Sequence, residues 1–404
     1  AQVVEDSGAV TDRHRRSVRA ALTYPAAVAA RLSDVELLSR LVAFDTTSRR
    51  PNLALTDFLC GYLVGPNIRV ERFDGCDAGE NVLFSAGPPS ERGEGMLLCG
   101  HVDTVPADEP DWTSPPRTLV ERDGRLYGRG ACDMKGFVAL AANVLRERAE
   151  TSLEAPLQLL LTCNEEIGTL GAAAFVRLWP RERALPRHCL VGEPTSMRVV
   201  RGHKGHLTLA IVVHGVAAHS GFPHKGVNAI ERAGAVIAAL AVVRKQLMHE
   251  RNAASSLFPE VPFPVLTTAR IRGGVAINVI PERCELDVGV RLLPGMSSDA
   301  AVAGVRAAVE AVVPNDAVEV RVINDTPAFA TPANSAFYRK LCASVAQCDE
   351  FGVGFGTDAG RLAQLGLECV VWGPGDISNA HRADEWMPLD EFTIAARILR
   401  QVIV

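Results

Sequence analysis

The sequence predicts an α/β protein interrupted by a second, inserted α+β unit. Three observations predict it. Apolar runs typical of strands alternate with helical stretches. The texture changes near residue 206 and changes back after Pro327. A chain of 404 residues also exceeds what one hydrophobic core usually organises.

The elements follow in order. Ser33-Asp34 caps an amphipathic helix that runs to about Phe44, and a second helix covers 54–64. Short strands are expected near 68–73 and 80–86. Met96-Leu97-Leu98-Cys99 is a buried strand ending at Gly100-His101. Met134 to Arg148, rich in Ala, Val and Leu, reads as a buried helix. Leu157 to Thr162 is the fully apolar strand of a parallel sheet, and Cys189 to Gly192 is a shorter one. In the insert, His206 to His214 is a strand and Gly226 to His249 a long helix. Val265 to Arg272 and Asn278 to Leu292 are strands separated by the turn dipeptide Gly273-Gly274. Ser297 to Val312 is a helix and Val318 to Val322 a strand. That order, β-α-β-β-α-β, is the ferredoxin-like split unit. A helix over 333–347, a strand over 368–372 and a final helix from about 390 complete the chain. The domains expected are a tail over 1–30, a first catalytic part over 31–205, an inserted domain over 206–323 and a second catalytic part over 324–404.

Composition excludes several classes. With 48% hydrophobic and 22% charged residues, the chain is neither disordered, nor collagen-like, nor a coiled coil. A net charge of −5 argues against a nucleic-acid partner. No apolar run approaches a membrane span, so no membrane partner is expected. Residues 1–30 lack an apolar signal core, and Glu5, Asp6 and Asp12 argue against a transit peptide. Ten Cys without a CxxC pair read as reduced thiols of a cytoplasmic protein.

Acidic and His residues recur directly after the apolar strands. The first group is Gly100-His101-Val102-Asp103, where a His with an acid two residues on fits a metal ligand and the carboxylate that holds its other ring nitrogen. Alone it reads as an ordinary loop. Asp133 stands in the Gly-dense stretch Gly128-Arg129-Gly130-Ala131-Cys132-Asp133-Met134-Lys135-Gly136. Glu165 and Glu166 adjoin one another, and two such carboxylates repel unless a cation or proton intervenes. One can bind a metal while its neighbour acts as general base, although a single Glu also suits a helix N-terminus. Glu193 follows the next strand, and His381 follows the strand ending at Trp372. Two His and three carboxylates suit zinc or cobalt, and one carboxylate can bridge two ions.

These motifs, in this order, resemble the dinuclear zinc deacylases and peptidases, a family that includes acetylornithine deacetylase, succinyl-diaminopimelate desuccinylase, aminoacylase and the glutamate carboxypeptidases. The resemblance runs from about residue 33 to the C-terminus. Its nearest likeness is to the acetylornithine deacetylases, through GHVDTVP, LYGRGACDMKG, GEPTSMRVVRGHKG, GVNAIE, RLLPGM and GPGDISNAHRADE. It implies a zinc-peptidase-like catalytic domain whose ferredoxin-like insert serves as lid and dimerisation domain. It implies two Zn2+ per subunit, with Co2+ able to substitute. His101 and Glu193 would bind one ion, Glu166 and His381 the other, and Asp133 both. Glu165 would be the general base and Asp103 would orient His101. A cis peptide is implied after Asp133. His219 would stabilise the oxyanion, in dimeric members at the partner subunit's site. Asn278, Arg291, Gly356 and Thr357 would hold the substrate, Arg291 as a fork for an α-carboxylate.

The implied activity is hydrolysis of an N-acetyl amino acid, with N2-acetyl-L-ornithine and arginine biosynthesis the best match, by a homodimer. Alternatives are acetylcitrulline, acetyl-lysine or succinyl-diaminopimelate as substrate, a dipeptidase or carboxypeptidase, and a catalytically inactive binding protein. Intact ligands and Glu165 weigh against the last. Asp358 or Asp376 is the candidate partner for a cationic ornithine side chain. His203 and His206 are read as structural, and His14, His188, His224 and His249 as surface residues.

Overall fold

The computed structural model describes residues 18–19, 30–65 and 67–403. The tail expected over 1–30 lies outside the described residues apart from 18–19 and 30. Strand β1 (Val18–Arg19) pairs with β2 (Ile68–Asp74), which pairs antiparallel with β3 (Glu80–Ala86). Helices α1 (Asp34–Val42) and α2 (Leu53–Leu63) lie between β1 and β2 in the chain. Ser33 opens α1 with a capping box: Glu36 N–H donates to Ser33 Oγ (3.2 Å) and Ser33 N–H to Glu36 Oε2 (2.7 Å). Then come β4 (Met96–His101), α3 (Gly136–Ala149), β5 (Leu157–Thr162), α4 (Leu170–Leu178) and β6 (His188–Val191). The middle of the chain supplies β7 (Gly205–His214), α5 (Ala229–Leu247), β8 (Val265–Gly273), β9 (Arg283–Leu292), α6 (Ser298–Glu310) and β10 (Val318–Thr326). It ends with α7 (Ala336–Ser344), β11 (Glu368–Val371) and α8 (Leu389–Val402).

The larger sheet has the order β1-β2-β3-β5-β4-β6-β11. Its last four strands, β5, β4, β6 and β11, are parallel neighbours. Their carboxyl ends therefore share one edge, the edge at which open α/β sheets bind ligands. Every residue of β5 is buried, which is why Leu157 to Thr162 shows no polar alternation. Leu98 and Leu159 pack with Phe137 and Leu145 of α3, and Leu97 and Leu160 pack with Phe175 of α4. Alternate residues of one strand thus feed two cores, one on each face.

The second sheet has the order β8-β9-β7-β10 and is antiparallel throughout. Ala233 and Val236 of α5 and Val305 and Val309 of α6 cover one face of it. Inward residues Cys284, Leu286, Val288 and Val290 alternate along β9. The chain enters this unit beside the point where it leaves: Gly202–His203 pairs antiparallel with Phe329–Ala330.

Several expected boundaries shift, each for a local reason. The helix expected from Met134 starts at Gly136, because Ala131–Lys135 forms a separate wide turn with Asp133 extended at φ −122° and ψ 96°. The expected strand from Asn278 to Leu292 breaks at Pro281-Glu282 into Val279–Ile280 and β9, since Pro has no N–H for a ladder. Val279–Ile280 pairs instead with Ala218–His219. Gly273-Gly274 is accordingly the start of a longer connection and not a two-residue hairpin turn. The helix expected from Gly226 begins at Ala229, after Asn228 accepts hydrogen bonds from Ile230 N–H and Glu231 N–H. The helix expected over 333–347 is Ala336–Ser344, capped by Ser335.

Gly192 connects this packing to the edge of the sheet. A Cβ there would stand 1.9 Å from Phe137 Cγ, in the core against α3. Gly192→Ala is expected to cost about 1–3 kcal/mol of unfolding free energy through overpacking, measured by denaturant titration. Unchanged stability would contradict this account of the close approach.

Candidate metal centre

The four parallel strand ends bring five of the expected residues together. His101 closes β4, Glu165 and Glu166 follow β5, and Glu193 follows β6. His381 comes from the segment after β11. Asp133 arrives from the wide turn before α3, and its peptide bond to Met134 is cis, as the sequence resemblance implies.

The residues form two groups that share Asp133. One is His101, Asp133 and Glu193; the other is Asp133, Glu166 and His381. Within each group the ligand atoms lie within 4.8 Å of one another. His101 Nε2 stands 3.0 Å from Asp133 Oδ1 and 4.0 Å from Glu193 Oε2. His381 Nε2 stands 3.1 Å from Asp133 Oδ2 and 2.9 Å from Glu166 Oε2. The other ring nitrogen of His101, Nδ1, donates to the backbone carbonyl of Asp103 at 3.0 Å. A neutral imidazole with its proton on Nδ1 presents a lone pair at Nε2. That lone pair faces carboxylate oxygens, so acceptor meets acceptor unless a proton or a cation lies between them. The donor set of imidazole nitrogen and carboxylate oxygen fits two divalent cations held on either side of Asp133.

Asp103 acts through different atoms from those expected. Its carboxylate Oδ1 is 3.7 Å from His101 Nδ1, while its backbone carbonyl makes the hydrogen bond. The carboxylate accepts instead from Glu165 N–H (3.0 Å), Glu166 N–H (3.3 Å) and Ser48 Oγ–H (2.7 Å). One residue thereby fixes His101 with its main chain and both glutamates with its side chain.

Asp133 is held from beneath by Glu385. Glu385 Oε1 accepts from Cys132 N–H (3.0 Å) and Asp133 N–H (3.1 Å), and its Oε2 accepts from Arg129 Nη1 (2.8 Å). Sequence reasoning missed Glu385, Arg129 and Ser48. Glu385 lies in the GPGDISNAHRADE stretch, the one signal that pointed near it.

Charge crowding governs ionisation here. Burial, then the nearby Asp133 carboxylate, pushes Glu166 up to about 7 against the pull of His381. Burial raises Glu165 and Glu193 well above the ordinary range. For Asp133, burial opposes ionisation, but hydrogen bonds from His101 and His381 outweigh it and hold the carboxyl well below its usual value. Those same bonds to Asp133 and Glu166 raise His381 to about 10.

A cavity of about 370 Å³ opens onto this cluster. Glu165, Arg291 and Gly356 line it together with Asp133, Glu166, Glu193 and His381. Glu165 belongs to neither ligand group. His206, read from the sequence as structural, also lines the cavity. His203 does not: its Nδ1 donates to Lys204 O (2.9 Å), and its Nε2 accepts from Thr357 N–H (3.1 Å) in a fully buried position.

The other expected substrate residues stand elsewhere. Thr357 is fully buried, its Oγ1 accepts from Ala359 N–H (3.1 Å) at the start of a short helix, and it does not line the cavity. His219 is exposed, and its Nδ1 accepts from Gly221 N–H (3.0 Å). Exposed Asn278 sits beside it, its carbonyl accepting from Ser220 N–H (2.9 Å). Neither lines the cavity of its own chain. Asp358 is buried and accepts from Thr162 Oγ1 (2.6 Å), and Asp376 is exposed, so neither faces the cavity.

Comparison with known proteins agrees with this geometry. The model for peptidase family M20/M25/M40 matches residues 97–404. The chain belongs to that family. Acetylornithine deacetylase of Myxococcus xanthus is 35% identical over 375 residues, covering 91% of this chain and 95% of that protein. Acetylornithine deacetylase of Vibrio parahaemolyticus is 37% identical over 316 residues, 77% of this chain and 81% of its own. The fold matches an M20 family metallo-carboxypeptidase from Sulfolobus solfataricus with a TM-score of 0.75 at 15% identity, covering 92% of this chain and 99% of that one. A tripeptidase from Staphylococcus aureus matches with a TM-score of 0.72 at 18% identity, covering 92% and 96%. The protein is a metal-dependent hydrolase of the M20 superfamily, related to the acetylornithine deacetylases. Among the described residues no helix is long and apolar enough to cross a membrane.

Because His381 and Glu166 hold protons that a cation must displace, divalent metal binding is expected to release protons at pH 7 and to weaken as pH falls through that region. Calorimetry of zinc binding to metal-free protein, in buffers of differing ionisation enthalpy from pH 8 to pH 6, measures both. Affinity independent of pH would contradict the assignment.

Proposed function

We propose that the protein is a two-zinc deacylase of N-acyl amino acids that converts N2-acetyl-L-ornithine and water to L-ornithine and acetate. The observation that carries the reading is Asp133, common to both ligand groups, with Glu165 beside them in the same cavity and in neither group. The identity to acetylornithine deacetylases over most of the chain supports the acetyl-amino-acid substrate. The likeness to peptidases of 14–19% identity bears on fold alone. His101, Asp133 and Glu193 would hold one zinc, and Asp133, Glu166 and His381 the other, with cobalt able to replace them.

When bound, the two ions activate a water and polarise the acyl oxygen. The chain's own residues do the rest. Glu165, carried above the usual carboxylate range by burial, takes the proton of the attacking water and returns it to the leaving amine. Asp103 keeps Glu165 at its station by accepting from its backbone N–H. Arg291 takes the substrate's carboxylate, and Gly356 leaves room beside it. His219 donates to the developing oxyanion. Because His219 and Asn278 stand away from the cavity of their own chain, we assign them to the site of a partner subunit in a homodimer. Residues 206–323 would be the lid and dimerisation domain, and 31–205 with 324–404 the catalytic domain. The ten cysteines, all free, support a cytoplasmic setting.

Glu165→Gln is expected to keep both metals and to lower kcat by roughly 10²–10⁴-fold, read by metal analysis and hydrolysis of a panel of N-acyl amino acids. Turnover comparable to wild type would remove Glu165 from the role. His219→Ala should reduce kcat by roughly 10²–10³-fold with metal content unchanged; metal loss, or full activity, is the result that sinks this assignment.

A further inference from the structure

Two donors of the cavity face it without partners. In the register of the antiparallel sheet, His206 on β7 stands opposite Arg291 on β9 and, on its other side, opposite Thr326 on β10. All three line the cavity of the metal centre. Directly opposed side chains have Cβ atoms about 4.5–5.5 Å apart, so a guanidinium, an imidazole and a hydroxyl form one row. Thr326 is engaged: its Oγ1 accepts from Asn324 Nδ2 (3.0 Å) and donates to the Gly168 carbonyl (3.4 Å). Among the described residues, neither the Arg291 guanidinium nor the His206 imidazole has a hydrogen bond or ion pair.

A half-buried guanidinium without a counter-ion calls for an anion. Its neighbour constrains which anion and how it is held. Burial and the Arg291 charge push His206 down to about 4, so it is a neutral donor near pH 7. A neutral imidazole supplies one N–H to an anion without adding a second positive charge beside Arg291. Two donors on adjacent strands then contact one carboxylate from two directions. That fixes rotation about the bond between the carboxylate and the α-carbon, which a single guanidinium leaves freer.

We propose that His206 is a positioning residue for substrate, its imidazole N–H donating to one oxygen of the free α-carboxylate that Arg291 binds. This rests on the deacylase reading and deepens it: the site selects N-acyl amino acids with a free carboxylate over their amides. The fixed carboxylate aims the acyl group at Asp133 and Glu165 across the cavity. His206 touches neither the attacking water nor the leaving amine.

The test compares zinc-loaded wild type, His206→Ala and His206→Asn on an N-acetyl amino acid and on its α-carboxamide. His206→Ala is expected to raise KM for the acid roughly tenfold to a hundredfold, with kcat within about threefold of wild type. Zinc content should not change, and KM for the carboxamide should stay within about twofold of wild type. His206→Asn, which keeps an N–H donor, should recover most of the loss. A fall in kcat at constant KM, loss of zinc, no rescue by Asn, or an equal effect on acid and amide overturns the proposal. Calorimetric binding of the acid and the amide to zinc-loaded Glu165→Gln protein, with and without His206→Ala, reads the same contact without turnover. If wild type hydrolyses no N-acyl amino acid, the deacylase reading fails, and the acid-to-amide binding ratio still decides His206. Absence of any binding by the free acid overturns both.

Discussion

Repulsion among buried carboxylates is the constraint on which the site depends. Asp133 stands within 4.8 Å of Glu193 on one side and of Glu166 on the other, counted between ligand atoms. At that separation each pair of like charges costs about 3–4 kcal/mol at an effective dielectric of 20. Glu165 adds another carboxylate in the same cavity. Protons shared with His101 and His381 relieve part of this. Two divalent cations would relieve it more fully, and would account for carboxylates, which bury poorly, being concentrated at the end of a buried sheet. The formal charge of −5 counts these ligands as uncompensated. With the cations in place the loaded protein is nearer neutral than that figure.

Repulsion also explains the supporting layer. A cluster that would otherwise fly apart needs anchors on rigid elements, and each anchor here is a hydrogen bond to a main-chain group. Asp103 ties the Glu165–Glu166 segment to the end of β4. Glu385, steadied by Arg129, grips the adjacent N–H groups of Cys132 and Asp133 within the turn that carries Asp133. Gly192 lets β6 run close to Phe137, so Glu193 emerges beside His101. The sheet supplies direction and these bonds supply position, to within the few tenths of an ångström that metal coordination requires.

The five candidate ligands were legible because each follows a recognisable apolar strand or a Gly-dense turn. Local pattern and ligand chemistry coincided there, and the order of the motifs carried the resemblance. What was not legible depends on contacts between distant segments. Glu385 meets Asp133 across 252 residues of chain, and no spacing rule encodes that bond. The choice of the Asp103 backbone over its carboxylate for His101 is a matter of about an ångström. His206 lay on a correctly expected strand, but whether its face looks onto a cavity depends on how the two sheets meet. Thr357 is the opposite case: adjacency to Gly356 in the sequence does not show that its side chain is buried and accepts from Ala359 N–H. In the fold, Pro281, which has no N–H for a ladder, interrupts the apolar alternation on either side of it.

The central claim is that Asp133 joins two cations at the meeting of four parallel strand ends. Anomalous diffraction from crystals of zinc-loaded protein, recorded on both sides of the zinc edge, tests it most directly. The account predicts two peaks about 3.5–4 Å apart, one contacting His101 and Glu193, the other Glu166 and His381, with a carboxylate oxygen of Asp133 on each. A single peak, or two peaks with Asp133 bound to only one, would contradict it.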